Sequence, residues 1–218
     1  MDVRVRYGME AMVRSVRQFG AWPRRAVILA GLAVASVAQA ANGPLDTASM
    51  SGRIQARFDP VTRQTWVMGH AAPDLCFSLS LPDEWRQTED GFKAVLSDGE
   101  LSVNLRSSQA LRDMPQPDLV SRDAAALQQD YEALLGRPAQ SVSLSSNGGA
   151  TRWSATWIDA NLPTASHDMT IETLIVPLSG EWVLELSLSG IETREAYNAL
   201  AQRLLARLNV QGRAACWG

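Results

Sequence analysis

Lysine is almost missing from this chain: Lys93 is the sole lysine among 20 basic residues, and histidine and cysteine number two each. Each shortage closes off a class of chemistry. A surface that tracks phosphates needs clustered cations, and scattered arginines do not provide them, so nucleic acid is not an expected partner. Metal sites in exported proteins draw on several histidines, thiolates or grouped carboxylates, because the ion's charge must be matched at close range. No such group or Asp-rich calcium loop occurs, and no metal is expected. Gly-x-Ser-x-Gly, Gly-rich phosphate loops and Cys-x-x-Cys are also absent, so nucleophile-elbow, nucleotide and thiol-redox chemistry lack their usual signals and no cofactor is expected. No apolar run reaches the roughly 18 to 20 residues of a membrane-spanning helix.

What the N-terminus does contain is an export pattern. Arg24 and Arg25 precede an apolar run of about 13 residues that closes on Ala38-Gln39-Ala40, the layout of a cleaved signal peptide over residues 1–40. Maturation is expected at Ala41, with Met9 and Met12 as alternative starts. The flanks of the arginine pair match a twin-arginine signal poorly, so the general secretory route is favoured. Cleavage would remove six of the 20 cations and two of the 23 acids, leaving 14 against 21 and an acidic domain in an oxidising compartment, periplasm or exterior. There Cys76 and Cys216 are most simply a disulfide closing a loop of roughly 140 residues, worth ~4–5 kcal/mol in the chain-entropy model. Two separate thiols are the alternative.

Residues 41–51 are small and polar without apolar period, a tether; residues 52–218 form one globular domain. Within it, residues 53–58 and 64–68 flank Asp59-Pro60-Val61-Thr62, a hairpin signal. Phe77, Leu79 and Leu81 alternate with serines as a strand wetted on one face, stopped by Pro82. Runs at 92–96 and 101–105 continue an antiparallel meander across Ser97-Asp98-Gly99-Glu100. A helix follows, capped by Asp118 or Ser121, with a stripe of Val120, Ala124, Leu127, Tyr131 and Leu134, ending at Gly136 and Pro138. Strands at 141–145, 151–158, 167–176 and 181–188 make two more hairpins, with Trp182, Leu184, Leu186 and Leu188 on one face. The last helix, 192–208, carries Tyr197, Leu200, Leu204 and Leu208, with Ser189 and Glu192 at capping-box spacing. This order predicts an α+β domain, a mostly antiparallel sheet with helices packed on it.

The run from Phe77 through Pro82 to Trp85, the meander, the amphipathic helix, the two hairpins and the terminal helix resemble the PsbP-like and Mog-like fold, including its bacterial exported DcrB-like branch, over residues 76–210. The resemblance implies an α/β/α sandwich and a largely non-enzymatic role. Some members are extrinsic subunits of photosynthetic complexes and others nuclear-transport adaptors, an activity an exported chain cannot share. It carries no functional residues onto this sequence.

Candidate chemistry is thin. His167 beside Asp168 could join a distant serine, against the reading of a surface imidazole at a strand end; His70 falls in a loop context. Glu172 and Glu185 fall on neighbouring strands, the layout of an acid/base pair. Asp83 with Glu84, and Glu89 with Asp90, read as solvated pairs. Trp153 and Trp157 project from one side of a strand with Ala155 between them. Facing water they would be a stacking platform, and facing the helices they would be core. The leading expectation is an exported, non-enzymatic binding or adaptor domain with an envelope protein partner. The alternatives are a small periplasmic hydrolase with a dispersed site, or a glycan-binding module using Trp153 and Trp157.

Overall fold

The computed structural model describes residues 54–158 and 168–212. The signal peptide, the tether, His167 and Cys216 lie outside the described residues.

The 59–62 turn signal gives a hairpin of β1 (Ile54–Asp59) and β2 (Gln64–Ala72), with the Asp59 carboxylate accepting from the Val61 amide and the Thr62 hydroxyl. β2 runs on through His70, which the sequence placed in a loop. It pairs with β3 (Leu75–Pro82), whose apolar alternation buries Phe77, Leu79 and Leu81. The chain then turns a corner into β4 (Trp85–Gln87), β5 (Phe92–Ala94) and β6 (Glu100–Ser107). Helix α1 (Leu119–Leu135) is capped by Asp118, which accepts from the Ser121 amide, and ends at Gly136 with φ 67°, a left-handed position that glycine takes without strain. β7 (Ser141–Asn147) and β8 (Ala150–Ile158) meet at Gly148 and Gly149, whose φ values of 59° and 85° suit the two positive-φ positions of a type I′ turn. β9 (Asp168–Pro177), β10 (Trp182–Ser189), helix α2 (Arg194–Arg207) and β11 (Asn209–Gly212) complete the described chain. Thr193 caps α2, not the Ser189 that the spacing suggested.

Two sheets result, one ordered β1-β2-β3-β11 and the other β4-β5-β6-β10-β9-β8-β7. Every pairing is antiparallel. The protein is an α+β fold. Helix α1 covers one face of the seven-stranded sheet, over Trp153, Ala155, Trp157, Ile175 and Val183. The other face, with Leu174, Leu184, Leu186 and Leu188, packs against the inner face of the four-stranded sheet and against Tyr197, Ala201 and Leu204 of α2.

The α1 stripe departs from expectation at both edges. Leu134 is exposed and Asp123, a polar position in the sequence pattern, is fully buried. Leu204 sits with no exposed surface where α2 meets both sheets. Leu204→Ala is therefore expected to cost ~2–5 kcal/mol of stability, measured by urea denaturation; a loss below ~1 kcal/mol would show that this junction is loosely packed.

Candidate functional site

The sheet faces decide which candidate residues can act together. Glu172 and Glu185 lie on neighbouring strands but on opposite faces, so they form no acid/base pair. Glu172 faces α2 and holds Arg194 at 2.8 Å. The guanidiniums of Arg152 and Arg194 lie over the Tyr197 ring at 5.4 and 5.5 Å, and Arg152 donates to Asn198. These bonds tack the start of α2 to the sheet. Burial, with Glu172 nearby, pushes the Tyr197 phenol up to about 12.

Glu185 instead faces α1, in a group that sequence reasoning missed. Arg106 reaches from β6 with its Nε 2.8 Å from Glu185 and 3.3 Å from Asp123, while its terminal nitrogens bond Asp130 at 3.1 Å. Asp123 and Glu185 are almost wholly enclosed, leaving two buried carboxyls facing one guanidinium. Burial, then the charge of Glu185, raise the Asp123 carboxyl to about 8 against the pull of Arg106. Burial opposes the charge on Arg106, but Glu185, Asp123 and Asp130 outweigh it and raise its affinity for the proton. The Asp123 carboxyl thus keeps its proton well above the ordinary carboxylate range. No opening leads to it in the cleft described below. The signal in the sequence was the Asp123 position itself, on the apolar side of an amphipathic helix.

Trp153 and Trp157 lie in the core. Neither has exposed surface; Tyr131 of α1 stacks on Trp153 at 5.7 Å, and Trp157 donates its ring N–H to the Arg137 carbonyl. A stacking platform needs ring area in water, and these rings present none. His70 is half-buried on β2 opposite Cys76. Asp83 and Glu84 pair with Arg63 and Arg86 at the surface. Among the described residues no group of three metal-ligating side chains is assembled, and no helix is long and apolar enough to cross a membrane.

A cleft of about 300 Å³ opens where β2 begins, β3 ends and α2 finishes. Arg63, Gln64, Ser80, Asp83, Arg203 and Arg207 line it. Arg207 donates to the Gln64 side-chain oxygen at 2.8 Å and approaches the Ser80 hydroxyl at 3.5 Å; Arg63 pairs with Asp83 at 2.8 Å. Arg63 and Asp83 both have left-handed backbone, φ 52° and 58°, and the Asp83 amide donates to the Arg63 carbonyl, so each holds the other in place. The cleft contains no imidazole or thiol.

No protein-family model and no curated protein matches the chain. Among solved structures it is similar to the solution structure of the cyanobacterial PsbP protein (CyanoP) of Synechocystis, with 8% identity, a TM-score of 0.39, and coverage of 78% of this chain and 98% of that one. That likeness is loose and assigns no role.

The buried proton has a measurable consequence. The ordinary Asp value is 3.8 and the folded one about 8, so the folded state keeps a proton that the unfolded chain releases between them. This contribution is fully present below about pH 4 and lost as pH rises through about 8. Melting temperature is expected to fall across that window, and Asp123→Asn to flatten the fall. An unchanged slope in the variant would place the proton elsewhere.

Proposed function

We propose that the protein is an exported, non-enzymatic binding or adaptor domain of the cell envelope, related to the PsbP-like and DcrB-like fold, with a protein partner there. One observation carries the non-enzymatic part. The carboxyl whose proton affinity is most displaced, Asp123, is sealed beneath α1. The cleft elsewhere has arginines, two hydroxyls and an amide, which hold ligands, and its one carboxylate, Asp83, is paired with Arg63 and not with a nucleophile. The export part rests on the residue pattern of 1–40, and the kinship on the order of strands and helices.

A disulfide between Cys76 and Cys216 belongs to the same reading. β11 runs antiparallel to β3 with Gln211 opposite Cys76, so the chain returns to Cys76 shortly before Cys216. Cys216→Ser is expected to lower stability by ~2–4 kcal/mol under oxidising conditions and by much less under reductant. Equal stability in both conditions would mean that the thiols are separate.

The binding role is tested by affinity capture from intact, crosslinked envelope with mass spectrometry against a mock bait. A reproducible, near-stoichiometric protein is expected. A blank, under conditions that recover a known weak pair, counts against an adaptor.

A further inference from the structure

The solvent side of the four-stranded sheet presents an indole next to the arginine cleft. Trp66 and Met68 point outward from β2 and are 40% and 48% exposed, unusual for large apolar side chains in the middle of a strand. Arg57 of β1 and Ser80 of β3 flank Trp66 directly in register. Gln64 lies two residues earlier on the same face, roughly 7 Å along the strand. Gln64 and Ser80 both line the cleft, and both are touched by Arg207. The wall of the cleft is thus the neighbour of the indole, and one side chain separates ring from guanidinium.

Charge and size narrow what fits. Three guanidiniums face one carboxylate, that of Asp83, which Arg63 already engages. Among the described residues Arg203 forms no ion pair. It sits one helical turn from Arg207, on the same side of α2. The cleft therefore favours an anion, and a guanidinium fork matches a carboxylate in two parallel hydrogen bonds. Ser80 is 1% exposed, a polar group enclosed at the seam between Arg207 and Trp66. A volume of about 300 Å³ is at the small end of ligand pockets, room for a small acidic group and not for a packed peptide helix. An exposed indole beside hydrogen-bonding side chains suits a sugar, whose apolar C–H face stacks while its hydroxyls meet Gln64.

We infer that Trp66 and the Arg63–Arg203–Arg207 cleft form a binding site for an acidic sugar, a pyranose carrying a carboxylate. The ring lies on Trp66 and the carboxylate enters between Arg203 and Arg207. The inference deepens the binding reading given above by naming a ligand class for one surface. The same uronic-acid unit occurs free or within an acidic polysaccharide.

Isothermal titration of the full chain with galacturonate, a galacturonate oligomer, neutral galactose and a short peptide with a free C-terminus tests it. Galacturonate is expected to bind at least about tenfold more tightly than galactose or the peptide. Trp66→Ala and Arg203→Ala are each expected to weaken it about tenfold, with melting temperature unchanged for Arg203→Ala and a single cooperative melting transition kept by Trp66→Ala. Tighter binding of the oligomer identifies a polysaccharide, and equal binding a free acid. Absent binding, equal binding of galactose, preference for the peptide, or indifference to both substitutions would overturn the site. Failure here leaves the envelope partner standing. Conversely, new reducing ends released from the oligomer would refute a non-enzymatic protein while leaving the site in place.

Discussion

The hydroxyl of Thr65 holds the corner on which the two sheets depend. It donates to the Asp83 carbonyl at 2.8 Å and accepts from the Trp85 amide at 2.9 Å, with no exposure to water. Trp85 closes the same turn by donating its ring N–H to the Pro82 carbonyl. Here the chain leaves the four-stranded sheet and enters the seven-stranded one, so the clamp fixes how β3 hands over to β4. Gln87 adds a second tie between the sheets through the Ile54 carbonyl. The same clamp sets Asp83 in its left-handed conformation, and with it the Arg63 pair and the rim of the cleft. Fold and candidate site therefore share one hydrogen-bonded corner. Without a hydroxyl at position 65, a half-buried carbonyl and a buried amide would both lose their partner, costing more than an ordinary surface bond.

The two faces of the seven-stranded sheet are secured by different physics. Toward α2 the contact is apolar at the centre, with cations and Tyr197 at the rim, where charge remains near water. Toward α1 an ion group lies inside the apolar layer beside the tryptophans. Ion pairs so deeply enclosed cost desolvation that their mutual attraction only partly offsets. Their geometry is demanding, however, because Arg106 must meet carboxylates from both helix and sheet at once. That requirement fixes the rotation of α1 over β10 in a way that the interchangeable apolar contacts around Trp153 do not.

Much of the fold was legible from local pattern, because its signals lie within a few residues. Alternation at Phe77–Leu79–Leu81, the turn chemistry of Asp59–Thr62 and Ser97–Glu100, and the Asp118 cap all gave elements close to those observed. The short β4 and β11 were not legible. Three and four residues carry no period, and both exist only because a distant partner offers its edge. Ser80 read as wetted and is buried, since Arg207, far along the chain, lies across it. The candidate site was illegible for the same reason: Gln64, Ser80 and Arg207 share no motif and meet through tertiary packing alone. The tryptophan spacing correctly put two indoles on one side, but periodicity does not say which side carries a helix. Among the described residues the exposed indole is Trp66, in a strand whose alternation of Val67 inward and Met68 outward was there to read.

β11 pairs Asn209 with Ser78 and Gly212 with Leu75, so the first sheet to begin is the last to be completed. β3 must wait for more than a hundred residues before its outer edge is covered, and pairings at such separation are slow to form. A ribosome that releases the chain N-terminus first would therefore hold β1 to β3 as an unfinished three-stranded ribbon until α2 and β11 emerge. Such topology delays completion of the first sheet until β11 has been made, and it gives Asn209–Gly212, a strand exposed along most of its length, the deciding step in closing that sheet.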